Sequence, residues 1–183
     1  MKKLLYSVLF IASAGLGLAG CSNGDYSANT NAGGLNPLNP VGGIDNTFGW
    51  GGTDPMSLEL NGEGWKADNV VMVEAPGNDK AWLISGMKFS GDTSVCTILL
   101  QKNLKEGNSY FVFYGNTDNT ASFATNMRDP NQIYASTLTS LGEIRILENK
   151  STHIKGLFYF LAKNPNTSQY VNIQRGYFKV DKP

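Results

Sequence analysis

An all-β fold, an antiparallel β-sandwich or flattened barrel of about nine to eleven strands, is what this chain predicts. Three observations carry that reading. Short runs rich in Val, Ile, Thr, Phe and Tyr recur between clusters of Gly, Pro, Asn and Asp. Outside the first 20 residues no stretch offers a helical apolar period over ten or more residues. No fixed-period repeat is present, so a solenoid or propeller is not indicated.

The strands follow in order. Ser57-Leu58-Glu59-Leu60 alternates, and Asn61-Gly62 marks a tight turn. Gly64–Ala67 leads into Val70–Val73, and Pro76-Gly77-Asn78-Asp79 turns the chain. Lys80–Phe89, with Trp82 and Ile84, and Val95–Gln101 are the next strands, and Glu106-Gly107-Asn108 is a turn. Tyr110–Tyr114 follows, then a loop over Asn116–Asn119 and a weak strand over Thr120–Asn126. Asp129-Pro130-Asn131 turns into the short Ile133–Ser136, and Gly142–Leu147 is a strand. Two long strands close the chain, His153–Lys163 and Gln169–Val180, predicted to pair as an antiparallel hairpin through Asn164-Pro165-Asn166-Thr167. Phe158 and Phe160 share one face at period two, and Phe178 and Val180 join them in the expected core. Gly156 and Gly176 precede aromatic residues within these strands, as at a bulge or beneath a ring. The other face carries Leu157, Tyr159 and Leu161, so a cover over that face is expected.

The start of the chain has a different character. Lys2 and Lys3 precede an apolar stretch from Leu4 to Gly20 that ends Leu18-Ala19-Gly20-Cys21. This is a secretory signal pattern with small residues at the cleavage point. The stretch of 17 residues, broken by Gly15 and Gly17, is short for a membrane span. The junction resembles the lipobox of bacterial lipoproteins. That resemblance implies cleavage before Cys21 and diacylglyceryl modification of its thiol. Two acyl chains anchor a protein stably where one does not. Ser22, rather than Asp, follows the cysteine, and by resemblance to enterobacterial sorting this implies delivery to the outer membrane. The expected organisation is a signal peptide over 1–20, an Asn- and Gly-rich tether over 21–54, and an all-β domain over 55–183. The tether lacks periodicity and cannot offset its ordering entropy by burial. Its Phe48 and Trp50 are expected to dock onto the domain.

Charge and cysteine content narrow the function. The full chain has 15 basic and 15 acidic side chains. Without Lys2 and Lys3 the balance is 13 to 15, which gives no footprint for nucleic acid. With Cys21 acylated, Cys96 has no disulfide partner, and its apolar run reads as a buried small hydrophobe. One histidine, His153, and one free cysteine cannot build a tetrahedral zinc site. Neither a G-x-S-x-G elbow nor a phosphate-binding glycine loop appears. Glu59, Glu63, Glu74, Glu143 and Glu148 alternate with apolar residues and read as solvated strand faces. Asp118 with Asn116 and Asn119, or Asp129 with Asn131, offer hard oxygen ligands for calcium, but the spacing is that of turn chemistry. No cofactor and no metal are expected.

The ordered set Asn61-Gly62-Glu63-Gly64-Trp65-Lys66-Ala67, Glu106–Tyr110, Gly142–Ile146, Ile154–Phe160 and Ile173–Phe178 resembles the DUF6252 type of Bacteroidota lipoprotein. The resemblance implies fold and address and carries no activity. The expected function is therefore a non-catalytic envelope lipoprotein with a binding or structural role. Its partners are membrane lipid through Cys21 and, beyond that, a glycan or an envelope protein. One alternative is a surface glycan-binding module, with Tyr110, Tyr114, Tyr159 and Tyr170 as ligand contacts and Trp82 and Tyr134 beside them. A second alternative is a hydrolase, which needs a deep pocket with convergent polar groups.

Overall fold

A computed structural model describes residues 55–113, 119–137 and 142–183. Every described residue lies in one compact unit. The signal segment, Cys21, Phe48, Trp50, Tyr114, Asn116 and Asp118 lie outside the described residues.

The described chain is all-β. Its strands are β1 (Met56–Leu60), β2 (Glu63–Lys66), β3 (Asn69–Ala75), β4 (Asn78–Lys88), β5 (Ser94–Gln101), β6 (Ser109–Val112), β7 (Thr120–Ala124), β8 (Ile133–Ser136), β9 (Gly142–Asn149), β10 (His153–Lys163) and β11 (Tyr170–Asp181). A single 3-10 turn, Pro130–Gln132, precedes β8. All pairings are antiparallel and build one curled sheet, a half-barrel, in the order β2-β1-β11-β10-β8-β7-β5-β4-β3. A branch, β9 then β6, leaves the same edge of β10 that β8 uses further along. The two ends of the main path, β2 and β3, are joined by Ala67 and Asp68 alone. Asp68 ties that corner down: its N–H donates to the Met87 carbonyl at 2.8 Å and its carboxylate accepts from the Phe89 N–H at 2.7 Å.

Turn chemistry sets the first hairpin. Asn61 and Gly62 both adopt positive φ, 52° and 90°, the pair that a two-residue hairpin loop requires. The Asn61 side chain accepts from the Asn172 N–H at 2.8 Å, so the turn also grips β11.

The concave face holds the core. Phe123, Phe158, Phe160, Phe178, Ile84, Ile98, Ile144 and Ile173 are fully buried there. β10 and β11 pair as the alternation predicts, with a bulge that sets Gln174 and Arg175 against Tyr159. Arg175 takes the left-handed conformation at φ 48°, and the extra residue returns Gly176 and Phe178 to the inside after Ile173. Gly176 then lies directly opposite Phe158, and Gly156 opposite Phe178. A Cβ on Gly176 would come within 2.4 Å of the Phe158 ring, and one on Gly156 within 2.6 Å of the Phe178 ring. Each phenylalanine thus lies over the glycine of the partner strand. On the opposite face Leu157 is buried in register between Arg145 and Tyr177, while Tyr159 and Leu161 are half-buried.

Asn164 is the fully buried fastening of the β10–β11 connection. Its Oδ1 accepts from the N–H groups of Asn166 and Thr167, both at 2.8 Å, and its Nδ2 donates to the Ile133 carbonyl at 2.9 Å. The turn is thereby bonded to the start of β8.

Candidate functional site

The convex surface divides by chemistry. Over β3, β4, β5 and β7 it is uncharged, with Val71, Leu83, Ser85, Met87, Val95 and Thr97 among its residues. Over β9, β10, β11 and β1 it carries Glu143, Arg145, Glu148, Lys155, Lys179 and Glu59. Exposed aromatic surface adjoins the charged half.

Strand pairing decides which tyrosines reach that surface. Tyr110 is opposite Ile144, a core residue, so it turns inward and packs against the core. Its hydroxyl accepts from the Lys105 N–H at 2.6 Å. Phe111 is opposite Glu143 and points outward, 58% exposed. Glu143 is in turn opposite Tyr159. Phe111, Glu143 and Tyr159 therefore form one row across β6, β9 and β10, with the two rings about 10 Å apart at the usual strand spacing. The Tyr159 hydroxyl donates to Glu143 Oε2 at 3.4 Å. Partial burial, then the Glu143 charge, hold that phenol above its ordinary pKa, so it stays a neutral donor at neutral pH. Arg145, two residues along β9, adds a guanidinium to the neighbouring row.

The remaining expected aromatics are placed elsewhere. Tyr170 is 51% exposed at the far end of β11, opposite Lys163, whose ammonium lies 5.6 Å from the ring centre. Tyr134 is buried in the core. Trp82 packs partly against the core, and Lys102 Nζ lies 4.4 Å from its ring centre. Tyr110 is thus separated from Tyr159 and Tyr170 by the thickness of the sheet. Phe111 is the contact that the sequence left out. Alternation along Tyr110–Phe113 is legible, but which parity faces out depends on the pairing with β9.

The polar candidates have structural partners. Asp129 caps the 3-10 turn: its Oδ1 accepts from Asn131 N–H at 2.9 Å and its Oδ2 from Gln132 Nε2 at 3.3 Å. Asn119 accepts from the Gln101 N–H at 3.2 Å. Among the described residues no group of three or more His, Cys, Asp or Glu side chains is placed to hold a metal ion. His153 Nε2 is 3.1 Å from Glu148 Oε2, and Lys155 Nζ is 3.2 Å from Oε1 of the same carboxylate. The bond from His153, then that from Lys155, holds Glu148 below the usual carboxylate range. Cys96 is fully buried, and burial alone pushes its thiol far above the ordinary value, which removes the thiolate needed for reactivity.

The family model described as a domain of unknown function, DUF6252, matches residues 54–180. The chain belongs to the DUF6252 family. The match begins two residues before β1 and ends one residue before the end of β11, so the DUF6252 domain is the curled sheet itself. No curated protein and no solved structure matches this chain.

Proposed function

We propose that the chain is a non-catalytic lipoprotein of the cell envelope, anchored in the outer membrane through acylated Cys21, with its DUF6252 domain acting as a binding or structural module. The observation that carries this reading is Leu18-Ala19-Gly20-Cys21 at the end of a basic, then apolar, leader. Two acyl chains on Cys21 hold the chain at the membrane surface without a span. The domain then needs no membrane contact of its own, and the charged half of its convex face, where Phe111 is exposed, is available to a partner. Replacing Cys21 by Ala tests the reading. The variant is expected in the soluble fraction while the native chain sediments with membranes. Equal sedimentation of the two would sink the anchor.

A glycan is the ligand class that a second observation favours. Phe111 and Tyr159 offer flat apolar rings, and Glu143 and Arg145 beside them offer an acceptor and donors. Sugar rings present apolar faces edged with hydroxyls, so this pairing of types suits them. Retention on immobilised envelope polysaccharide, lost in Phe111→Ala and Tyr159→Ala, supports this reading. Retention that survives both substitutions points to a protein partner or to another face.

A further inference from the structure

Arg145 differs from the other half-buried charged side chains around it on the convex face. Ile144 and Ile146 on either side of it are fully buried in the core, so Arg145 is presented on the convex face, where it is half-buried. Leu157 is opposite it on β10, and the exposed Ser109 is opposite it on β6. Two carboxylates lie close by on β9, and both are engaged by other groups. Glu143 accepts from the Tyr159 hydroxyl at 3.4 Å. Glu148 is held by His153 at 3.1 Å and by Lys155 at 3.2 Å. On β1 the half-buried Glu59 accepts from Arg175 at 2.7 Å. Among the described residues the Arg145 guanidinium has neither an ion pair nor a hydrogen bond.

We infer that the ligand of this face is an acidic glycan, with the carboxylate of a uronic-acid unit seated on Arg145. The inference rests on the glycan reading given above and specifies the sugar. A guanidinium presents its N–H donors as a rigid planar fork, which a carboxylate meets with two parallel charge-assisted bonds. The hydroxyls of a neutral sugar offer no such match. Partial burial makes unmatched donors costly, and a bound carboxylate recovers that cost. Position agrees with chemistry. Phe111 and Tyr159 bracket Glu143, and Arg145 is two residues along the same face, about 7 Å further down the strand. A sugar unit lying between the two aromatic residues has Glu143 beneath it as an acceptor for its hydroxyls and Arg145 to one side for its acid group. The same side carries Lys155 and the exposed Lys179, which are opposite each other on β10 and β11. An acidic peptide would supply the carboxylate without the apolar ring face that the aromatic residues fit.

Binding of the detergent-extracted full chain to polygalacturonate, alginate and hyaluronate, each beside its carboxyl-reduced counterpart, tests this. The native chain should bind an acidic polymer about tenfold more tightly than its reduced form, the scale of one charge-assisted contact. Arg145→Gln should bring that ratio close to one, and Arg145→Lys should restore only part of it, because an ammonium lacks the fork. Melts of both variants should match the native chain, since the side chain holds no bond among the described residues. Equal binding of the acidic and reduced polymers overturns the inference and leaves the glycan reading standing. So does an acidic preference that Arg145→Gln retains. Arg145-dependent binding of poly-glutamate or of anionic lipid vesicles at the strength of the uronates also overturns it, because charge alone would then suffice. Binding to none of these polymers, with retention on envelope polysaccharide intact, removes the acid and keeps the sugar; loss of both removes both readings.

Discussion

Gly176→Ala adds a single methyl group where the sheet has no room for it. The added Cβ would lie 2.4, 2.5 and 2.6 Å from Cε2, Cδ2 and Cγ of Phe158. Carbon atoms in contact prefer about 3.5–4.0 Å, so the ring must retreat by roughly 1 Å. Its retreat is opposed by Phe160 and Phe178, whose ring centres lie 6.1 and 6.2 Å away. Overpacking of this kind costs about 1–3 kcal/mol. The loss of glycine's unfolded-state freedom returns about 0.4–1 kcal/mol, which leaves a net destabilisation of about 1–2 kcal/mol. Gly64→Ala is the matched control. Gly64 is in β2, its φ is not positive, and nothing lies within 4 Å of its added Cβ. Guanidinium unfolding followed by tryptophan fluorescence reads both, since Trp65 is buried edge-on to Phe123 at 5.6 Å. In a Phe158→Leu background Gly176→Ala should cost less, with a coupling of about 0.5–3 kcal/mol. Equal costs in the two backgrounds, or a Gly176→Ala chain as stable as Gly64→Ala, would refute the ring-over-glycine account.

Three further outcomes are expected. Phe160→Ala should lose about 3–5 kcal/mol as a buried aromatic truncation, whereas Tyr159→Ala, half-buried on the convex face, should lose about 1 kcal/mol or less; denaturant melts separate them. Asn164→Ala removes the acceptor of two backbone donors and the amide donor to the Ile133 and Pro130 carbonyls, so it should cost about 2–4 kcal/mol in the same assay. The pKa of Glu148 is depressed by His153 and Lys155, so the stability it contributes is present above the ordinary carboxylate range and is lost as pH falls through the depressed value. Glu148→Gln should flatten that acid limb in unfolding curves measured from neutral to acid pH, with a small effect that shrinks in salt because the carboxylate is exposed.

Local order was legible in the sequence because it is written in local chemistry. Asn61-Gly62, Pro76-Gly77 and Asp129-Pro130 stop and turn the chain through backbone preferences that need no tertiary partner. Phe158, Phe160 and Phe178 announced the core through period-two alternation, and both glycines opposite them were readable as close approaches. Strand order was not legible. Nothing near β10 in sequence says that one of its edges is shared between β9 and β8. The same limit governs the candidate site. Tyr110 and Phe111 alternate visibly, but the choice of the outward ring is fixed by Ile144 and Glu143, more than 30 residues away. The bulge at Arg175 shifts the phase of β11 by one residue, which a strict alternation cannot foresee. The fully buried Asn164 was legible as a turn residue, while its grip on β8 is a long-range contact.

The proposed function places this chain at the membrane surface through a lipid on Cys21. Intact mass spectrometry of the protein extracted from its native envelope decides whether that lipid is present. The expected species is a mature chain that begins at Cys21 and carries diacylglycerol on its thiol, with or without a further acyl group on the amine. A chain that retains Met1–Gly20, or one that begins elsewhere without lipid, would contradict it.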